Sequence, residues 1–150
     1  MNALAELCRL SLERKRERYP NVPPHGIVAP KLSDKDANGL TRCILEYFRL
    51  HGGYAVRINT QGQYNEKLKK WTKSTTRRGT ADVHSCLNGI HYSIEVKVGR
   101  DSQSDYQQLE TQEQVEGACG RYYVAQDFQS FYDWINQVKY DYQEEGTHSK

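Results

Sequence analysis

Asn88-Gly89 is the feature that most limits how this chain folds. A two-residue type I′ turn needs φ > 0 at both central positions, and Asn-Gly meets that need best. With the turn there, Leu87 faces Ile90, and the pairing continues outward to Val83 opposite Ile94 and Asp82 opposite Glu95. Side chains alternate along a strand. One face of the hairpin therefore carries Ala81, Val83, Ser85, Leu87, Ile90, Tyr92, Ile94, Val96 and Val98, and the other carries Asp82, His84, Cys86, His91, Ser93, Glu95 and Lys97. A slip of one residue would exchange the faces, so the apolar set fixes the register.

The same register sets two carboxylates against each other. Directly opposed Cβ atoms lie roughly 4.5–5.5 Å apart, and like charges there destabilise a sheet. A divalent cation relieves the conflict, and Mg²⁺ or Mn²⁺ suits oxygen ligands. Asp82 and Glu95 are the candidate metal ligands, the Val96 carbonyl a candidate third, and Lys97 the group placed to orient water or stabilise phosphate charge. A mixed-charge surface hairpin, with Lys97 merely neutralising the two acids, is the plainer alternative. His84 and His91 share the polar face farther from the acids and read as packing or solvent-facing groups, with a catalytic or binding role as the alternative.

Around this hairpin the rest of the chain reads as alternating elements. Residues 3–18 carry a partial apolar stripe (Leu4, Leu7, Cys8, Leu10, Leu12) and predict a helix with a basic end. Pro20, Pro23, Pro24 and Pro30 make the next segment an extended connector. Ser33 is the expected N-cap of a helix to about His51, with Leu40, Cys43, Ile44, Tyr47 and Phe48 as its buried stripe. Gly39 within it marks a close approach. Tyr54–Ile58 reads as a strand, and 59–79 as a loop without periodicity. After the hairpin come a turn at 99–102, a helix over 104–119, a strand over 121–126, and a helix capped by Asp127. The expected boundaries are an N-terminal helix and Pro-rich connector (1–30), a core domain (31–142) and a polar tail (143–150). The fold class is α/β, with a mixed central sheet flanked by helices plus an N-terminal helical appendage.

Composition enters where it excludes. No run approaches the ~20 apolar residues of a membrane span, and no signal peptide is expected. Cys8, Cys43, Cys86 and Cys119 match no zinc spacing, which with reduced thiols points to the cytoplasm. Net charge is only +2, but residues 66–78 concentrate Lys67, Lys69, Lys70, Lys73, Arg77 and Arg78 against Glu66. With Arg57 nearby, that run is the candidate phosphate-contacting surface. Trp71 inside it is either a base-stacking platform or a core residue. Glu46 is a candidate extra acid, or else the partner of Arg42 or Arg49.

Gly79-Thr80-Ala81-Asp82 followed by Glu95-Val96-Lys97 resembles the PD-(D/E)XK nuclease core. More narrowly, the chain resembles the VRR-NUC and Holliday junction resolvase-like group, and is similar to short Bacteroidetes phage or mobile-element proteins. The resemblance spans about residues 31–135. It implies a restriction-endonuclease-like αβββαβ core and Mg²⁺-dependent cleavage of DNA, including branched, flap or junction DNA, in replication, recombination or repair. Asp82 and Glu95 would be metal ligands, Lys97 the catalytic lysine, and Gln107 the supporting glutamine of the following helix. Ala81 stands where the family usually has proline. Thr41 and Arg42 stand near the expected position of a first-helix acid, and Glu46 comes one turn later. The partners so implied are DNA, a homodimer, and a replication or recombination protein docked on the N-terminal helix. The competing expectation is an inactive nuclease-fold DNA-binding module or partner-docking subunit.

Overall fold

In the computed structural model, residues 2–59, 62–99 and 106–147 are described, with side chains through residue 139. Four helices, α1 (Ala3–Arg18), α2 (Ala37–Leu50), α3 (Tyr106–Gly117) and α4 (Phe128–Thr147), surround a mixed sheet. Its strands β1 (Tyr54–Arg57), β4 (Val83–Leu87), β5 (Ile90–Val96) and β6 (Arg121–Ala125) lie in the order β1-β4-β5-β6. The first two pairings are antiparallel, while β5 and β6 run parallel. A separate small hairpin pairs β2 (Gln63–Asn65) with β3 (Lys70–Thr72).

The β4–β5 register is the one the Asn-Gly turn implies: Leu87 pairs with Ile90, Ser85 with Tyr92, and Val83 with Ile94. Asn88 and Gly89 both take positive φ, 52° and 79°, as a type I′ turn demands. Val83, Tyr92 and Ile94 are fully buried on the apolar face. Against them pack Phe48 and Tyr47 of α2 and Phe128, Phe131 and Ile135 of α4. The rings form an edge-to-face network, with Tyr47 and Phe131 at 5.5 Å and Tyr123 stacked on Trp134 at 4.4 Å. Burying one such side chain contributes roughly 1.5–3 kcal/mol, so this cluster is the main hold on the fold.

Several expectations change. The N-terminal helix is not an appendage: Ala3 and Leu7 are buried in the main core, and α1 packs on α2 and α4. Its inward face repeats every four residues through Ala3, Leu7 and Ser11, the helical i, i+4 spacing. Asp36, not Ser33, caps α2, its Oδ1 accepting the Gly39 amide at 2.8 Å. Ser33 instead runs alongside the helix: a Cβ on Gly39 would stand 2.2 Å from the Ser33 carbonyl oxygen, which is why glycine sits there. Segment 59–79 is not structureless, since it contains β2 and β3. The final helix continues to Thr147, past the expected tail boundary at 142.

Candidate functional site

Cys86 and His91, nearest the turn, are exposed, but the far end of the hairpin's polar side is not a solvated surface. Ser93 is fully buried, and Glu95 and Lys97 are each 7% exposed. Three features enclose it. The β6 strand flanks β5, α3 lies across, and the 73–80 loop closes one end. The loop is tied by hydroxyls: Thr76 Oγ1 donates to the Asn59 carbonyl at 2.9 Å, and Thr80 Oγ1 to the Arg77 carbonyl at 2.7 Å. Gly79 joins loop to helix. It has φ +78°, and a Cβ there would fall 2.3 Å from the Gln107 carbonyl oxygen.

Asp82 lies one step beyond the last ladder pair, Val83–Ile94, where continuing the register sets it opposite Glu95. Its carbonyl accepts the Ile58 amide at 2.8 Å, so its backbone belongs to the β1 side. Its Oδ2 accepts the Val96 amide at 2.9 Å. A continued antiparallel ladder would give that amide to the Ala81 carbonyl. The carboxylate thus ends the ladder and leaves its Oδ1 for another ligand. Glu95 accepts a hydrogen bond from the Gln108 side chain at the start of α3. Lys97 follows on the same side of β5, its amide donating to the Ala125 carbonyl at 2.9 Å.

Asp82 and Glu95 share the wall of a cavity of about 800 Å³ with Gln107 and Gln108. The same cavity is also basic and aromatic: Trp71, Lys73, Arg77 and Arg78 line it as well. Trp71 is 72% exposed, which excludes the core reading, and its ring meets Tyr64 across the small hairpin at 5.9 Å. Arg77 is braced by Gln114 of α3, at 2.7 Å from its Nη1. Of the other predicted cations, Arg57, Lys67, Lys69 and Lys70 are exposed but do not line this cavity.

Glu46 is placed elsewhere. It accepts the Ser11 hydroxyl at 2.6 Å and pairs with Arg49, and it lines a second cavity between α1 and α2. The Arg49 guanidinium, more than any other neighbour, holds its carboxyl below the usual range. Its visible work is to fasten α1 to α2.

Two groups escaped the sequence reading, Gln108 and Tyr122. Gln108, rather than Gln107, bonds to Glu95; the phase of a helix whose lead-in lies in residues 100–105, outside the described residues, cannot be set by counting. Tyr122 is 7% exposed, and its hydroxyl has no hydrogen-bond partner among the described residues. Burial first, then the charges of Glu95 and Asp82, push its phenol well above the ordinary range. His84 Nε2 is likewise buried and unpartnered, its ring 5.2 Å from that of His91, and burial lowers its pKa. Among the described residues no three His, Cys, Asp or Glu side chains group as a metal cage, and no helix is long and apolar enough to cross a membrane.

The donors nonetheless suit a hard cation, which takes one or two carboxylates and completes its shell with waters and substrate phosphates. Asp82 Oδ1 and Glu95 supply such carboxylates. Compared with protein-family models, curated proteins and solved structures, the chain matches none.

Proposed function

We propose that the chain is a metal-dependent nuclease with a restriction-endonuclease-like core, hydrolysing phosphodiester bonds in DNA. One observation carries the reading: the Asp82–Glu95 pair and the Trp71, Lys73, Arg77, Arg78 set line one and the same cavity. The order α2-β1-β4-β5-α3-β6, interrupted only by the small hairpin, agrees with the core that the resemblance implies.

On this reading Asp82 and Glu95 hold Mg²⁺ or Mn²⁺, with the Val96 carbonyl as a further ligand. When bound there, such an ion would polarise a phosphoryl oxygen and lower the pKa of a coordinated water. The chain's own residues do the rest. Gln108 fixes the Glu95 carboxylate. Lys73 and Arg78 draw the phosphodiester backbone into the cavity by charge. Trp71 stacks on a base of single or splayed DNA. Lys97, on the side of β5 that carries Glu95, stabilises charge developing on the phosphate.

The test incubates the protein with Mg²⁺ or Mn²⁺ and single-stranded, plasmid, flap and four-way-junction DNA. Cleavage is expected from wild type and lost in Asp82→Ala and Lys97→Ala; cleavage surviving both substitutions contradicts the assignment.

The placement of Glu46 favours one other reading. With that acid committed to Ser11 and Arg49, the fold would serve as a DNA-binding module that does not cut. It predicts salt-dependent binding without metal-dependent turnover, and any turnover by wild type that Asp82→Ala removes excludes it.

A further inference from the structure

Tyr122 sits in a row that runs straight across the sheet. His84 pairs with Ser93 and Ser93 with Tyr122; in the adjoining row Glu95 pairs with Val124. Residues in register share a face. Tyr122 therefore projects from the face that carries Glu95, one row away on the neighbouring strand. Such diagonal neighbours are about 7–8 Å apart, within reach of an aromatic side chain. Both Glu95 and Asp82 act on its hydroxyl electrostatically. More than nine-tenths of the residue is buried, and its oxygen has no hydrogen-bond partner among the described residues.

Leaving a buried hydroxyl unpaired is destabilising, because its hydration is lost with nothing in return. Phenylalanine would fill the same space without that cost, and among the described residues nothing partners the oxygen. The neighbouring acids give a reason. Gln108 now holds one oxygen of Glu95. A cation bound by Asp82 and Glu95 would draw the Glu95 carboxylate toward Asp82, and a ligating carboxylate is itself held by hydrogen bonds from outside the coordination shell.

We propose that Tyr122 is a positioning residue for this cation site, donating its phenolic hydrogen to the Glu95 carboxylate when the cation is bound. The proposal rests on the reading of Asp82 and Glu95 as cation ligands. Tyr122 does not line the cavity, so it acts on the cation through Glu95 and not by direct contact. It makes the site a three-strand construction: Asp82 leading into β4, Glu95 on β5 and Tyr122 on β6. Cation binding would then give the Tyr122 hydroxyl a hydrogen-bond partner that it lacks among the described residues.

The experiment titrates Mn²⁺ into the full-length wild type, Tyr122→Phe, Gln108→Ala and Asp82→Ala, following free Mn²⁺ by electron paramagnetic resonance and the melting temperature in parallel. Tyr122→Phe should match or exceed the metal-free stability of wild type, because it removes an unmet polar atom. Its Mn²⁺ affinity should fall about tenfold, as for loss of an outer-shell partner, with a smaller Mn²⁺-induced rise in melting temperature. Gln108→Ala should weaken binding as well, and Asp82→Ala should abolish it. If Tyr122→Phe binds Mn²⁺ as wild type does while Asp82→Ala does not bind, the role of Tyr122 falls and the cation site stands. A lower metal-free melting temperature for Tyr122→Phe also overturns the inference, since the hydroxyl would then have a structural partner. If wild type binds no Mn²⁺, or Asp82→Ala binds equally well, both the inference and the cation site fall.

Discussion

On one face of the four-stranded sheet, Val83, Tyr92, Ile94 and Ala125 lie in the core with the rings of α2 and α4, and Tyr47, Phe48 and Phe131 are all fully buried against one another. On the other face, Asp82, His84, Glu95 and Tyr122 lie toward α3, a helix whose only buried residue is Thr111. The first face is sealed in the core while the second opens on a cavity, and they differ in what they leave unfinished. The buried side-chain atoms that lack a hydrogen-bond partner among the described residues, His84 Nε2 and Tyr122 Oη, both lie on the second face. Native proteins seldom leave buried polar atoms unpaired. Their concentration beside two facing carboxylates is what the proposed cation site would account for, while the first face serves cohesion.

The difference can be attacked from both sides. The largest effect is expected on the cohesive face: Phe131→Ala should cost about 3–5 kcal/mol, the range for truncating a buried phenylalanine, measured by urea unfolding. Next is the joint between the 73–80 loop and α3. Gly79→Ala places a Cβ against the Gln107 carbonyl at positive φ and should cost about 1–3 kcal/mol, read as a lower melting temperature. Because it pushes α3 off the loop, it should also weaken the Gln108–Glu95 contact and any response to Mn²⁺.

A binding substitution separates the faces more sharply. Trp71→Ala removes an exposed ring, so stability should change by no more than about 0.5 kcal/mol. Affinity for single-stranded DNA should nonetheless fall by about 1–3 kcal/mol, measured by fluorescence anisotropy at fixed salt. An unfolding cost as large as that of Phe131→Ala would erase the distinction.

The smallest effect is a pH dependence on the cohesive side. His51 stacks on Tyr47 at 4.1 Å with Nδ1 2.8 Å from the Tyr47 carbonyl oxygen, and burial depresses its pKa despite that bond, with Lys139 adding to the depression. The unfolded chain therefore binds more protons than the folded one once the pH falls below about 6.5. Stability should decline as the pH drops through that value, and the loss should be complete only below the folded pKa. Melting temperatures across this range check it, and His51→Asn should flatten the slope.

How much of this could be read in the chain itself follows from what repeats and what does not. The β4–β5 register was legible because Asn88-Gly89 names its turn and the apolar alternation has one solution. The α2 stripe was legible because Leu40, Cys43, Ile44, Tyr47 and Phe48 keep helical spacing. The β2–β3 hairpin was not. Its tip is lysine-rich, and both strands are exposed or half-buried, so no alternation marks them. Its visible signals, the Tyr64–Trp71 cross-strand pair and the turn in which Asn65 Oδ1 accepts the Leu68 amide at 3.1 Å, emerge only once the strands are paired. The docking of α1 was obscured because Ser11 is buried for the sake of a hydrogen bond to Glu46, so its inward face reads as only partly apolar. Tyr122 was hidden for a related reason. In Arg121-Tyr122-Tyr123-Val124 both tyrosines read as strand formers, and only the parallel register reveals that Tyr123 faces the core rings while Tyr122 faces the acids.

The central claim is that Asp82 and Glu95 together hold a divalent cation. Crystals grown with Mn²⁺ and measured near the manganese absorption edge test it directly. The account predicts one anomalous peak about 2 Å from a carboxylate oxygen of each residue, absent in Asp82→Ala crystals. A chain saturated with Mn²⁺ whose anomalous density lies elsewhere, or that shows none between these carboxylates, would contradict it.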